Sequence, residues 1–482
     1  MMHYVFFFII TTPLVGAVMT FLFSDLKKEV SFLASLISFN LSLILFIFFD
    51  ISQLKFQYIS TIKLFNFFDS GFYMGIDGLS LVFLILTTFL ISMCFLFSWK
   101  SSEPVSFYIS FLFLEFFLIT SFTTLDVIVF YVFFEAVLIP IFFIVGFLGS
   151  RDRKIRAGFL LFIYTIIGSL FMLIGIVFLL SETGTSNYLL LIENTIPFFK
   201  QKVLWLLFFF AFSIKIPLYP VHVWLPEAHV ESPTCGSVIL AGVLLKLGAY
   251  GFLRFLIPLF PIASAFFKPL VFTIGMLSVI YASFVALRQI DIKRVIAYAS
   301  ISHIGLIVVS IFSFNPLGII SSIFQLISHG VVSSALFFCV GILYNRFGTR
   351  IVKYFSGLVH TMPIFVSFFL FFCLGNIGFP GTSSFVGELI ILLSLFFENI
   401  YLAVICSSSL ILSGFYTLFL FNRISYGNLK TNFISFSRDL IGCEFFTFIS
   451  LFSVSIFIGL NPSPCFDLLF NFSYFISDIF YI

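Results

Sequence analysis

The chain has 482 residues, of which 61% are hydrophobic and only 9% charged, with a net charge of +3. A soluble domain carries roughly 25% charged residues, so a water-soluble globule is excluded. Apolar runs instead recur at the roughly 20 residues needed to cross a hydrocarbon core of about 30 Å, which predicts an all-α polytopic membrane protein.

The start, MMHYVFFFIITTPLVG, has no basic n-region and runs straight into a spanning segment, so no cleavable presequence is expected. Spans are predicted at 3–23, 30–49, 76–98, 105–123, 125–148, 157–181, 203–222, 235–257, 266–287, 294–313, 316–344, 361–397, 400–421 and 444–460, fourteen helices with both termini on one side. The 79 phenylalanines exceed any physical need and fit a T-rich organelle genome.

Orientation follows from the basic residues. Loops after odd-numbered spans hold Lys27, Lys28, Lys100, Arg151, Arg153, Lys154, Arg156, Arg288, Lys293, Arg294, Arg346, Arg350, Lys353, Arg423, Lys430 and Arg438, sixteen in all. The opposite face holds five: Lys55, Lys63, Lys200, Lys202 and Lys268. The ends carrying RDRKIR and RQIDIKR therefore face the cytoplasm or matrix.

Span seven, read through AFSIKIPLYPVHVWLPEAH, is expected to break at Pro217 and Pro220. The overlong span 361–397 contains NIGFPGTSSFVGE and should break at Gly378, Pro380 and Gly381. In span 316–344, also overlong, Gly330 beside His329 is expected to permit an irregular backbone. Interrupted helices persist in membranes only where protein or a wet cavity surrounds them. Breaks in spans seven and twelve suit two five-helix units.

Charges in the spans carry the functional signal. Lys215 and Lys246 fall at the centres of spans seven and eight, Glu135 is mid-span in FYVFFEAVLIP, and Glu388 follows the break in span twelve. A charge at the bilayer centre costs about 2.5–3.5 kcal/mol, so four together cost on the order of 10 kcal/mol unless paired or solvated. They mark a proton or ion route; the competing reading is a set of structural ion pairs. Glu115 in span four is weaker, since it could lie near an interface, and Arg254 reads as a snorkelling residue at a helix end. His222, His229, His303 and His329 are at or inside spans and could relay protons, or simply be satisfied core residues. Ser302, Thr165 and Tyr164 fit water-binding or packing roles equally. Two unit charges 4 Å apart at an effective dielectric of 20 attract by about 4 kcal/mol. Lys215 could thus hold its proton while Glu135 is close and release it when the pair opens.

No metal or nucleotide site is expected. The seven cysteines (94, 235, 339, 373, 406, 443, 465) lack C-x-x-C spacing, and the six histidines form no ligand set. Neither a G-x-G-x-x-G nor a Walker pattern occurs.

The stretch IKIPLYPVHVWLPEAHVESPTCGSVILAGVLLKLGAYG closely resembles the signature of the antiporter-like subunits of respiratory complex I. FYVFFEAVLIP, LRQIDIKRVIAYASISHIG, SHGVVSSALFFCVGILY and GFPGTSSFVGELIIL extend the resemblance along nearly the whole chain. Glutamate rather than lysine at 388, and no long lateral helix at the C-terminus, point to the mitochondrial form of one subunit. Cys235 replaces a common alanine, and the first hundred residues match weakly.

The resemblance implies a single domain, 1–482. N-terminal helices (1–98) are followed by two inverted five-helix repeats (about 105–257 and 266–421), with discontinuous helices 7 and 12, and a C-terminal helix (444–460). It implies a proton pathway through Glu135, Lys215, Lys246, His329 and Glu388; the residues read above place His222, His303, Glu115, Pro217 and Pro380 in support. Protons would move from matrix to intermembrane space, with both termini on the intermembrane side of the mitochondrial inner membrane. The chain would act as a subunit of an H⁺-translocating NADH:ubiquinone reductase and perform no redox chemistry itself. NADH, FMN, iron–sulfur clusters and ubiquinone belong to partner subunits, so no cofactor is expected here. Partners are other membrane-arm subunits, including antiporter-like neighbours, and lipids, with no nucleic acid. Remaining alternatives are a cation/proton antiporter subunit, a plastid homologue, and a structural scaffold.

The charge bias makes a direct prediction. A cysteine introduced at Asp152 is labelled by an impermeant thiol reagent from the matrix side only; labelling from the intermembrane side contradicts the topology.

Overall fold

A computed structural model describes residues 2–53, 55–65, 70–430 and 438–481. The side chain of Lys63, counted in the charge tally, lies outside the described residues. Twelve helices among the described residues are long and apolar enough to cross a membrane. Spans seven and twelve each appear as two shorter helices flanking a break, α9 (Phe198–Lys215) with α10 (Trp224–Glu231), and α17 (Pro363–Ile377) with α18 (Ser383–Glu398).

The chain forms two compact units: Met1–Pro217 with Val243–Pro269 and Asp467–Ile482, and Leu218–Gly242 with Leu270–Phe466. The first unit opens with α1 (Met2–Leu22), α2 (Lys27–Ile47), α3 (Gly78–Phe97) and α4 (Val105–Thr123). Helix α2 is apolar outward and polar inward. Leu33, Ile37 and Ile44 are exposed while Ser31, Ser35, Ser38 and Ser42 are buried. Lipid rewards no apolar burial between helices, so small residues that allow close approach take the inner face. Next come α5 (Val127–Ala136), α6 (Leu138–Gly146), α7 (Lys154–Thr183) and the short α8 (Tyr188–Glu193). Span eight runs through α11 (Thr234–Ile239), α12 (Leu245–Gly251) and α13 (Ile257–Leu259), joined by π-helical turns at Leu240–Leu244 and Phe252–Leu256.

The second unit is built around α15 (Ile292–Ile311) and α16 (Pro316–Phe347), preceded by α14 (Pro261–Arg288). Every residue of α16 from Gly318 to Leu343 is buried. The irregularity expected at Gly330 is absent, because α16 is one continuous helix of 32 residues. Its excess length needs no interruption once protein covers it on all sides. Helices α19 (Ile400–Ser425) and α20 (Gly442–Leu460) complete the predicted spans.

Two elements escaped the sequence reading. Strands β1 (Gln57–Phe65) and β2 (Ser70–Ile76) form an antiparallel hairpin. A further helix, α21 (Ser463–Tyr481), follows α20 and brings its Leu468 carbonyl against Gly78, where a Cβ would overlap it.

Arg254 corrects another expectation. It does not snorkel: it is 1% exposed, and its Nη2 lies 2.5 Å from Asp77 Oδ1. The same Asp77 oxygen accepts from Ser80 N and caps α3. Rings of Phe56, Tyr188, Tyr250 and Phe472 surround the guanidinium at 4.9–5.6 Å. Several tallied basic residues likewise have partners rather than standing free in loops. Lys293 donates to Ser232 O at 2.8 Å, Arg350 to Val230 O, and Arg294 pairs with Glu227 at 2.7 Å.

Removing one partner of a buried ion pair costs about 3–5 kcal/mol. Asp77→Asn is expected to lower the thermal midpoint of the assembled protein, and adding Arg254→Leu should recover part of the loss. A double variant less stable than Asp77→Asn alone contradicts the pairing.

Candidate functional site

Each unit holds its own cluster of buried ionisable groups. In the first, Glu135 stands in the last turn of α5, Lys215 is the final residue of α9, and Lys246 lies in α12 between the π turns. Helix α9 ends there because Pro217 offers no amide to continue the ladder. Gly248 brings α12 against α9: a Cβ at that position would overlap Ile216 and crowd Lys215 Cβ. Lys215 is 1% and Lys246 0% exposed.

The pair imagined from sequence is present in an open arrangement. Lys215 Nζ donates to the Phe134 carbonyl at 3.5 Å and sits 4.5 Å from the Phe134 ring centroid, one residue away from Glu135 along the chain. Glu135 Oε1 is buried and has no hydrogen-bond partner among the described residues. The carboxylate and the ammonium are electrostatic neighbours, and Tyr131 and Ser169 flank the carboxylate. Closing the pair would satisfy that oxygen and move the ammonium off the Phe134 carbonyl.

In the second unit the chain brings together residues that sequence could only name singly. Glu388, in the second turn of α18, has Oε1 3.2 Å from His303 Nδ1 of α15 and accepts from Gln325 Nε2 of α16 at 2.9 Å. The His329 ring of α16 stands 5.8 Å from the His303 ring, centroid to centroid. Glu388 Oε2 is buried without a hydrogen-bond partner among the described residues. The carboxylate borders a cavity of about 430 Å³ lined by Gly378, Phe385, Leu389, Leu393 and Leu410. Pro380 lies in the break itself, between Gly378 and Gly381, both with positive φ.

Other sequence candidates stand apart. His222, in the stretch between α9 and α10, meets Tyr219, Tyr281 and Tyr298 at 5.4–6.2 Å. His229 stacks on Phe337 at 4.6 Å. Thr165 donates to the Leu161 carbonyl of its own helix, Ser302 meets Ser283 at 2.8 Å, and Tyr164 lies half-buried on α7. Glu115 is 0% exposed within α4. Sequence reasoning missed Gln325, Asn376 and Tyr416. Asn376 and Tyr416 lie buried beside each other, with Tyr416 within electrostatic reach of Glu388. An uncharged polar residue in an apolar helix was the only signal.

Residues 124–413 match the sequence profile described as NADH:quinone oxidoreductase/Mrp antiporter, TM. Along 458 residues the chain is 48% identical to "NADH-ubiquinone oxidoreductase chain 4" of Chondrus crispus, covering 94% of this chain and 93% of that one. A chain of respiratory complex I from Thermus thermophilus with bound NADH superposes with a TM-score of 0.87 at 28% identity, over 97% of this chain and 99% of that one. A chain of the Mrp complex from Dietzia sp. DQ12-45-1b superposes at 0.90 with 19% identity, over 99% and 98%.

The break beside Glu388 can be tested alone. Gly378 has φ +78°, and a Cβ there would overlap Glu388 Oε2; Gly381 has φ +92° and open space around it. The left-handed conformation costs an L residue about 1–2 kcal/mol, so Gly381→Ala should lose that much stability and Gly378→Ala more. Thermal midpoints of the two variants check the order, and a reversed order contradicts this geometry.

Proposed function

The chain belongs to the NADH:quinone oxidoreductase/Mrp antiporter family of transmembrane subunits, and from that membership we propose that it translocates protons in the membrane arm of a respiratory complex I. It would work within an NADH:ubiquinone oxidoreductase of the mitochondrial inner membrane, beside other membrane-arm subunits. NADH, FMN, iron–sulfur and ubiquinone chemistry would reside in those partners and none in this chain. The end carrying RDRKIR would face the matrix, so that protons leave toward the intermembrane space.

The observation that carries the reading is the coupling of each helix break to a titratable pair. Lys215 ends a helix at a break and has Glu135 as its neighbour; Glu388 follows a break and has His303 as its neighbour. A backbone freed of its hydrogen-bond ladder supplies polar groups for water at membrane depth, where no lipid could. The open Glu135–Lys215 arrangement leaves the ammonium able to give its proton up, and closure restores the attraction that holds it. On the exit side, Glu388 accepts from Gln325 and exchanges a proton with His303, with His329 next in reach. Lys246 is placed between π turns, whose loosened ladder suits a moving ammonium.

Likeness to the Mrp chain is a likeness of fold, so the cation/proton antiporter reading has less behind it than the close relatives give the complex I reading. A purely structural scaffold would need these residues for assembly and not for titration. Glu135→Gln separates the two. It keeps size and hydrogen bonding but removes the charge, and a positioned proton-transfer group contributes typically 10²–10⁴-fold. The complex is expected to assemble on a native gel while proton-coupled quinone reduction falls roughly tenfold or more. Normal pumping in the assembled variant overturns the reading.

A further inference from the structure

Helix α4 carries a carboxyl group that the route above leaves unused. Glu115 is 0% exposed. Ser38 Oγ of α2 donates to its Oε1, while Oε2 is buried and has no hydrogen-bond partner among the described residues. Among the described residues no cation pairs with it. Of the elements packed on α4, α1 carries only His3 and Tyr4, at its N-terminal end, and α6 carries no titratable group. On α2, Lys27 and Lys28 donate to the Glu103 and Trp99 carbonyls at 2.7 and 2.8 Å, with Glu29 beside them. Helix α3 brings Cys94 and its cap Asp77, the hairpin Tyr73, α5 Tyr131 and Glu135, and α12 Lys246 and Tyr250. None of these is a hydrogen-bond or ion-pair partner of Glu115.

An ionised carboxylate with a single hydroxyl partner is costly at this depth. A neutral carboxylic acid is a donor as well as an acceptor, and asks far less of its surroundings. Ser38 belongs to the buried face formed by Ser31, Ser35, Ser38 and Ser42. Ser31, Ser35 and Ser42 each donate to a carbonyl three residues back on their own helix, which leaves oxygen lone pairs free to accept; the one Ser38 proton is shared between Glu115 and the Ser35 carbonyl. Ser42 also meets Thr88 Oγ1 of α3 at 3.1 Å. Neighbouring positions on one helix face are about 5–6 Å apart, the span of one water between hydroxyls. The face leads from Ser38 to Ser31 beside Lys28, roughly 10 Å along the axis at 1.5 Å per residue. Close helix packing explains small residues there, yet it does not call for a fully buried carboxyl group aimed at them.

We propose that Glu115 is a proton-binding site, held as a neutral carboxylic acid, whose proton exchanges with solvent at the Lys27–Lys28 end of α2 along the buried serine face. In the exchange the Glu115 O–H bond breaks, a water on the face takes the proton, and that water passes one of its own protons toward Ser31. Glu115 is left as a carboxylate still accepting from Ser38 until a proton returns. The site is a store distinct from the Glu135–Lys215 pair. Its use in pumping rests on the proposed function; its protonation does not.

The test is infrared difference spectroscopy of the purified complex carrying this chain, transferred from H₂O to D₂O, with protons moved per NADH measured in parallel. A deuterium-sensitive band of a protonated carboxylic acid is expected in the wild type and lost in Glu115→Gln. Ser38→Ala should shift it to higher frequency, and this shift assigns the band even if Glu115→Gln fails to assemble. Ser35→Val, which fills the face, should retain the band and slow its exchange several-fold. No band that responds to Glu115 or Ser38 overturns the site, and exchange indifferent to Ser35→Val overturns the path. Because the band is read without turnover, failure of pumping in other tests would leave this result standing, and the reverse holds too.

Discussion

Hydrocarbon supplies no water to an amide, an ammonium or a carboxylate, and this constraint shapes the chain at every level. Backbone groups must pair within helices, so most of the sequence is uninterrupted helix. The ladder stops at buried Pro217 and at the exposed stretch 379–381, and charged residues stand beside both breaks. The cost of those charges is met differently in each case. Arg254 is held by Asp77 and four rings, and Glu388 by His303 and Gln325.

These solutions divide the buried charges into two kinds. Arg254–Asp77 is direct, short and ringed by aromatic groups, and the same carboxylate also caps α3; nothing about it invites separation. Glu135 and Lys215 are neighbours without contact, each with a local group to fall back on. Glu388 keeps one oxygen on two donors and the other unpartnered beside a cavity. The first kind suits holding the fold, and the second suits the proton route proposed for it.

Much of this was legible in the sequence. Span four, predicted at 105–123, coincides with α4, and both breaks fell where proline and glycine remove a donor or demand positive φ. What was missed has physical reasons. The hairpin at 57–76 lies between spans, where hydropathy carries no topological weight. Helix α21 is amphipathic, so its polar face masked it from a search for uniformly apolar runs. Asp77 and Arg254 are 177 positions apart, and no local pattern joins them. Gly330 misled in the other direction: α16 is encased, and packing overrides a single permissive residue. The acid and base residues could be named one by one, but only folding revealed which of them meet, with Gln325 the silent member.

The central claim is that Lys215 is present to give up its proton, and Lys215→Arg tests it most directly. Arginine keeps the charge and adds a bidentate fork, so it serves a structural ion pair at least as well. A guanidinium does not deprotonate in proteins, so it cannot serve a valve. The measurement is protons translocated per NADH oxidised in membrane vesicles, normalised to assembled complex on a native gel. The account predicts an assembled complex that pumps far below the wild-type ratio. A fully assembled Lys215→Arg complex pumping at the wild-type ratio would contradict it and leave the lysine a structural counter-ion.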